Sequence, residues 1–365
     1  MIPYFIFFFF IAFLSLMSNV DGFRRYRLYF FFVTVFFLIL FAGLRSPGVG
    51  LDDWNYIYKF LEIPDISYWI SGEYIYTFEK AWMEPSYLIV GATIRLFSND
   101  PMYLFLIIAF LSVGLASYNY YKLTEFSFLT LLLFFVHTFL YRDINQIRAA
   151  VAAAIGLFLV DSIFNKNKTK TIGIILLASS FHVAALSYFL VFFLSYFPFS
   201  RVRMFVILCI SIILGWVGVS GVFLDLLPGL GFVTTKLSDY STNSVYADSV
   251  ELFDLTNIKN IFFFIVLLFF GNRIEIKNKY FNTMMLFYFL AVTWRILFSD
   301  FGIFSARVST FFGIVEVILI PFLLYCFKNK LLPCLFIIAY AFFTLYINLY
   351  LKEGRYPYVI INSII

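Results

Sequence analysis

"RLYFFFVTVFFLILFAGLRSPGVGLDDWNYIY", residues 27 to 58, turns within a few positions from an almost unbroken apolar run to an arginine, two adjacent acids and a cluster of aromatics. At a rise of ~1.5 Å per residue the apolar part, residues 28 to 44, comes close to spanning a hydrocarbon layer of ~30 Å. The polar part then begins a loop at the water interface. The same alternation recurs along the whole chain, which is 63% hydrophobic and 13% charged with a mean hydropathy of +0.93. Soluble domains carry roughly 25% charged residues, and no soluble core absorbs this much apolar surface. The fold class is therefore all-α and polytopic, a single membrane domain over residues 1–365.

Candidate membrane segments are 2–20, 28–44, 86–98, 101–119, 126–141, 148–164, 171–197, 204–222, 257–271, 280–298, 303–326 and 331–350, about ten to twelve transmembrane helices. The first lacks a basic leader and a small-residue cleavage site, so it is expected to remain as a helix. Residues 86–98 are short for a crossing, and 171–197 is long for one helix yet short for two. The basic stretches at 23–27, 165–170, 200–203, 272–279 and 327–330 belong in the cytoplasm by the positive-inside rule. That placement requires 86–98 to stop short of crossing and 171–197 to form a broken or re-entrant hairpin, with His182 near its bend. Irregular backbone at membrane depth survives only where protein or a wet cavity satisfies it. The net charge of +5 carries no message about nucleic acid here, because in a membrane chain the distribution of basic residues decides.

Two long external loops result, 45–85 and 223–256. The first holds seven acids against three basic residues, and the second five acids against Lys236 alone. Loop one is also rich in tyrosine and tryptophan. Aromatic faces beside carboxylates suit sugar rings, although interfacial anchoring gives the same composition.

Charges at membrane depth are expensive and mark function by default. Arg142 and Arg148 flank a helix boundary on the side of loop one, and Arg295 and Arg307 occupy the tail and head of later spans. Four guanidiniums near one face suit an anionic group, because their planar forks match phosphate oxygens. Snorkelling to headgroups is the alternative for Arg142 and Arg307. It fits Arg148 less well, since "AAVAAA" follows and such small residues let helices approach closely. His137 reads as a packed, hydrogen-bonded residue. His182 reads as a base, a phosphate contact or a donor that satisfies the bend. Asp161 reads as an interfacial cap beside the lysine-rich loop. The three cysteines have no paired spacing, and no metal constellation is visible.

"LRSPGVGLDDWNY", with Arg45, Gly50, Asp52 and Tyr56, resembles the opening of the first external loop in EpsG-like proteins, the group that includes many Wzy-type O-antigen polymerases. "INQIRAAVA" is similar to their asparagine-glutamine-x-arginine helix start, through Asn145, Gln146 and Arg148. "ASSFHVAAL" resembles their Phe-His segment through His182, "EPSYLIVGATIRLF" their Glu-Pro segment through Glu84, and "SARVSTFFGIVEVILIP" their late arginine helix through Arg307. Asp53 beside Asp52 departs from the pattern and leaves open which aspartate matters.

The resemblance implies a glycan polymerase of the bacterial inner membrane. Such a protein moves a growing oligosaccharide from its undecaprenyl pyrophosphate carrier to the terminal sugar of another carrier-linked repeat unit, on the periplasmic side. Expected catalytic residues are Asp52 or Asp53, Arg148 and His182. Expected substrate-binding residues are Arg45, Tyr56, Glu84, Arg142, Asn145, Arg295 and Arg307. No cofactor and no metal are expected; the partners are the lipid-linked oligosaccharide, membrane lipids, a chain-length regulator and a flippase. A polyprenol-linked oligosaccharide flippase and a membrane O-acyltransferase are the rival readings.

Overall fold

The computed structural model describes residues 1–77, 81–218, 251–352 and 356–360, and the apolar runs form helices along it. α1 (Ile2–Met17), α2 (Arg27–Gly43), α3 (Asp53–Glu62), α4 (Ile66–Ile70), α5 (Pro85–Arg95) and α6 (Pro101–Leu123) come first. α7 (Ser127–Phe134) continues into π-helical turns, Phe135–Asp143, before α8 (Ile147–Gly156), α9 (Phe158–Phe164) and α10 (Lys168–Phe181). The remainder comprises α11 (Tyr188–Leu194), α12 (Arg201–Val217), α13 (Leu255–Glu275), α14 (Phe281–Leu297), α15 (Gly302–Phe312), α16 (Glu316–Leu319) and α17 (Leu331–Tyr346). Among the described residues there is no strand; one isolated bridge pairs Arg45 with Ile360.

Among the described residues six helical stretches are long and apolar enough to cross a bilayer: Asp21–Gly43, Pro101–Leu123, Ile147–Phe164, Leu255–Glu275, Phe304–Cys326 and Leu331–Leu351. Ile2–Met17, Val183–Leu194 and Phe281–Leu297 are apolar but shorter. Large apolar side chains such as Phe9, Phe32, Phe110 and Phe269 point outward, as lipid contact requires. The chain is an all-α, multi-pass membrane protein.

Several candidate segments take a less regular form, among them the following. At 86–98 the helix α5, Pro85–Arg95, has eleven residues, which at ~1.5 Å each span only about 16 Å. Residues 126–141 change pitch after α7. The π turns there are braced from another part of the chain, with Asn348 donating to the Val136 carbonyl at 2.7 Å and Tyr340 hydrogen-bonding His137 at 2.8 Å. The long segment 171–197 is interrupted at His182, then continues as a 3₁₀ turn, Val183–Ser187, and α11.

The chain divides into two compact units. The first comprises Met1–Leu159, Ile172–Val183 and Phe327–Ile365. Its centre is α6, which packs against α2 and α8. The alanines of α8 are buried and present no bulk, so the neighbouring helix comes close. The second unit comprises Val160–Thr171 and Ala184–Cys326. Its centre is α14, with thirteen of its seventeen residues buried against helices that include α12, α13 and α15.

Candidate functional site

Where α2 ends, the chain is held by its own charges. Arg45 and Asp53 are both fully buried, and the Arg45 Nη2 donates to Asp53 Oδ1 at 2.7 Å. The other carboxylate oxygen accepts the Gly50 amide at 2.8 Å, Arg45 also donates to the Ala42 carbonyl, and its guanidinium lies 4.3 Å from the centre of the Phe105 ring. Gly50 is required by this closure, because a Cβ there would fall 2.2 Å from the Ile144 carbonyl and 2.8 Å from Asp53 Oδ1. The turn is thus folded around an ion pair with no access to water.

Asp52, the preceding residue, is half-buried, and its amide donates to Asn145 Oδ1 at 3.0 Å. This bond ties the start of α3 to the turn that precedes α8. One turn along α3, Tyr56 is buried, and its backbone carbonyl accepts the Tyr87 hydroxyl at 3.4 Å. Burial holds the Tyr56 phenol above its ordinary pKa, opposed by the positive charge of Arg148 and reinforced by Asp52 and Glu84. It therefore remains a protonated donor at neutral pH.

Arg148 is the second residue of α8 and the meeting point of four segments. Its guanidinium pairs with Glu84, which directly precedes α5, and lies 5.8 Å from the centre of the Tyr56 ring. Glu84 accepts a second hydrogen bond, 3.1 Å from the Val183 amide, immediately after the break at His182. The Ser86 hydroxyl donates to Ser180 at 2.7 Å, so α5 is fastened to the end of α10 as well. The Arg148 side chain is 20% exposed, against 6% for Glu84, and its Nε has no hydrogen-bond partner among the described residues. That Nε–H is buried, and the Tyr56 hydroxyl lies within hydrogen-bond reach of the same guanidinium. Just before Glu84, the exposed Trp82 has φ +56°, a left-handed conformation costly for a bulky side chain.

Arg45, Gly50, Asp52, Asp53, Tyr56, Glu84, Asn145 and Arg148 thus form one connected network in the first unit, with His182 at its edge. Arg142 is buried nearby in sequence, donating to the Ala149 carbonyl at 3.1 Å rather than reaching a headgroup. Arg295 and Arg307 belong to the second unit. There Arg295 donates through Nε to Asn257 Oδ1 at 2.8 Å and through Nη2 to Asp254 Oδ2 at 2.9 Å, and Asp254 also caps α13 by accepting the Asn257 amide. Arg307 is half-buried on α15. Glu316, a lone acid in the sequence, pairs with Lys259 of α13. Asp161 receives Lys170 at 3.4 Å and the Tyr280 hydroxyl at 2.9 Å, beside the lysine-rich loop. The expectations for Glu79, Lys80 and most of loop 223–256 lie outside the described residues.

Sequence reasoning did not find the Val183 amide, the Ser86–Ser180 bond, Asn257 or Lys259. Backbone donors and ordinary polar side chains carry no signal of their own, and these partners are separated by tens of residues.

Comparison of the sequence with known proteins identifies a family. The model of the EpsG family matches residues 28–360. The chain is 30% identical over 312 residues to the amylovoran biosynthesis protein AmsC of Erwinia amylovora, covering 83% of this chain and 81% of that protein. No solved structure matches the chain. The chain belongs to the EpsG family.

Proposed function

We propose, from this family membership and the partners around Arg148, that the chain is a polysaccharide polymerase. It would transfer a growing glycan from a polyprenyl pyrophosphate carrier to the terminal sugar of another carrier-linked repeat unit. The setting is the external face of the bacterial cytoplasmic membrane, where a flippase supplies repeat units and a chain-length regulator works alongside. The name of the relative AmsC, an amylovoran biosynthesis protein, supports a role in polysaccharide biosynthesis.

The observation that carries the reading is the state of Arg148: a guanidinium at a helix start, tethered to an anion, beside the Tyr56 phenol and with partial access to solvent. A diphosphate would reach the guanidinium from its exposed side and compete with Glu84 for it. As the anomeric C–O bond to the carrier breaks, its electron pair leaves with the pyrophosphate. The charge builds against a fixed cation in a partly dry site, where it is stabilised more than in water. The acceptor hydroxyl oxygen forms the new bond to the anomeric carbon, and its proton passes to a carboxylate. Asp52 is better suited than Asp53 to receive it, because Asp53 is fully buried and already engaged by Arg45 and Gly50. Asp53 and Arg45 then act as positioning residues that set the direction of Asp52. Asn145 holds the Asp52 backbone. Tyr56 is a neutral donor beside the leaving phosphate. The exposed Trp54, Tyr58 and Trp82 offer faces for sugar rings on the same loop.

The test is a deletion strain complemented with variants and examined by gel for its surface glycan. Wild type restores a ladder of long chains, whereas Arg148→Ala, present in the membrane at normal abundance, leaves single capped repeat units. A full ladder from Arg148→Ala would remove the residue from the site.

A further inference from the structure

The second unit contains a cavity of ≈ 480 Å³ that the polymerase reading does not use. It is bounded by the ends of α12, α13 and α14 and by the lysine-rich turn after α9. Its floor is apolar, with Met204, Leu268 and Leu286. Its mouth is polar, with Lys166, Arg201, Asn272, Glu275 and Asn282.

The polar residues are arranged so that the one acid is already satisfied. Arg201 donates to Glu275 at 2.6 Å and to Asn272, and Asn282 donates to the other Glu275 oxygen at 2.6 Å. The Arg201 guanidinium lies flat across α13 because position 271 is glycine; a Cβ there would stand 2.6 Å from Nε. Lys166 is exposed, has φ +54° and forms no ion pair among the described residues. The segments around the mouth, residues 161–170, 198–203 and 272–280, carry eight basic residues against two acidic ones. A net cationic mouth above an apolar floor fits an amphiphile with an anionic head.

The position of the mouth favours a lipid over a soluble anion. Phe205 on α12 and Phe269 on α13, within about a turn of the mouth residues, are exposed apolar side chains, and α13 is long and apolar enough to cross a bilayer. The basic loops are those that the positive-inside rule assigns to the cytoplasm, where anionic headgroups attract clustered Lys and Arg. We propose that this cavity binds the phosphate-bearing headgroup of an anionic membrane lipid, with Lys166 and Arg201 at the phosphate and an acyl chain along Met204, Leu268 and Leu286. The site goes beyond the polymerase reading and does not depend on it.

The experiment uses the full chain in nanodiscs of phosphatidylcholine with a minor fraction of phosphatidylglycerol, and reads the lipids that stay bound by native mass spectrometry. Phosphatidylglycerol is expected to be retained in excess over its share of the nanodisc. Lys166→Glu, on an exposed turn, lowers that excess by about fivefold or more. Thr283→Phe, which fills the cavity without changing charge, lowers it too. Lys330→Glu, the same charge change on another basic loop, leaves it unaltered. An excess that is absent in the wild type, that survives both cavity variants, or that falls equally in Lys330→Glu would overturn the site. Displacement of phosphatidylglycerol by an equal mole fraction of a polyprenyl phosphate, or by inorganic phosphate, would overturn the assignment to a bulk membrane lipid.

Discussion

Two arginine–carboxylate pairs lie in the same unit and differ in one respect. Arg45–Asp53 is sealed, with both side chains fully buried and the carboxylate filled by a guanidinium and a backbone amide. Arg148–Glu84 is open on one side: the arginine side chain is 20% exposed. The same chemistry therefore serves two ends. A sealed pair fixes the backbone, since removing either partner strands a buried charge at a cost of roughly 3–5 kcal/mol. An open pair has room for a second anion. The adjacent acids Asp52 and Asp53 divide along the same line, one half-exposed and the other enclosed.

The largest expected effects break this comparison on its open side. Arg148→Ala is expected to lower polymerisation of lipid-linked repeat units by roughly 10²–10³-fold while membrane abundance holds. Asp52→Asn is expected to lower it by roughly 10²–10⁴-fold, again without loss of protein. Both are read with purified protein and lipid-linked repeat units, alongside immunoblots. Next in size is the sealed side. Asp53→Ala and Arg45→Ala are expected to destabilise the fold by about 3–5 kcal/mol and to deplete the protein from the membrane. The paired change Arg45→Met with Asp53→Leu recovers much of that abundance, as measured by thermal unfolding in detergent. A full recovery of glycan ladders by that double variant would remove Asp53 from the positioning role.

Smaller effects sharpen the account. Glu84→Gln keeps an acceptor for Val183 and weakens the tie to Arg148 by about 1.5–3 kcal/mol, a loss to be seen as a lower melting temperature. Trp82→Gly relieves the left-handed backbone and is expected to raise stability by about 1 kcal/mol or more while reducing affinity for glycan, as read by calorimetry.

How much of this was legible in the sequence follows from the range over which each interaction acts. Composition and apolar run length are properties of single segments, and they led directly to the all-α membrane fold. The break at His182 was legible for the same reason, because a run of 27 residues exceeds one crossing and fails two. The motif residues Arg45, Asp52, Tyr56, Glu84, Asn145, Arg148 and His182 could be named, but not who pairs with whom. Arg148 meets Glu84 across 64 residues and Val183 meets Glu84 across 99, and nothing local encodes such a choice. Asp53 was the hardest to read. Two neighbouring aspartates look alike in a sequence, and only the direction of the first turn of α3 sends one inward to Arg45 and leaves the other partly in water. The π turns after α7 were equally invisible, because their stabilising partners, Tyr340 and Asn348, arrive from the far end of the chain.

In the proposed mechanism the partly exposed guanidinium of Arg148 holds the carrier's diphosphate. Binding of a polyprenyl pyrophosphate to the purified protein in nanodiscs, compared between wild type and Arg148→Ala, tests it most directly. The substitution is expected to weaken binding at least tenfold, and Glu84→Gln, which frees the guanidinium, to leave it equal or tighter. Equal binding by wild type and Arg148→Ala would contradict it.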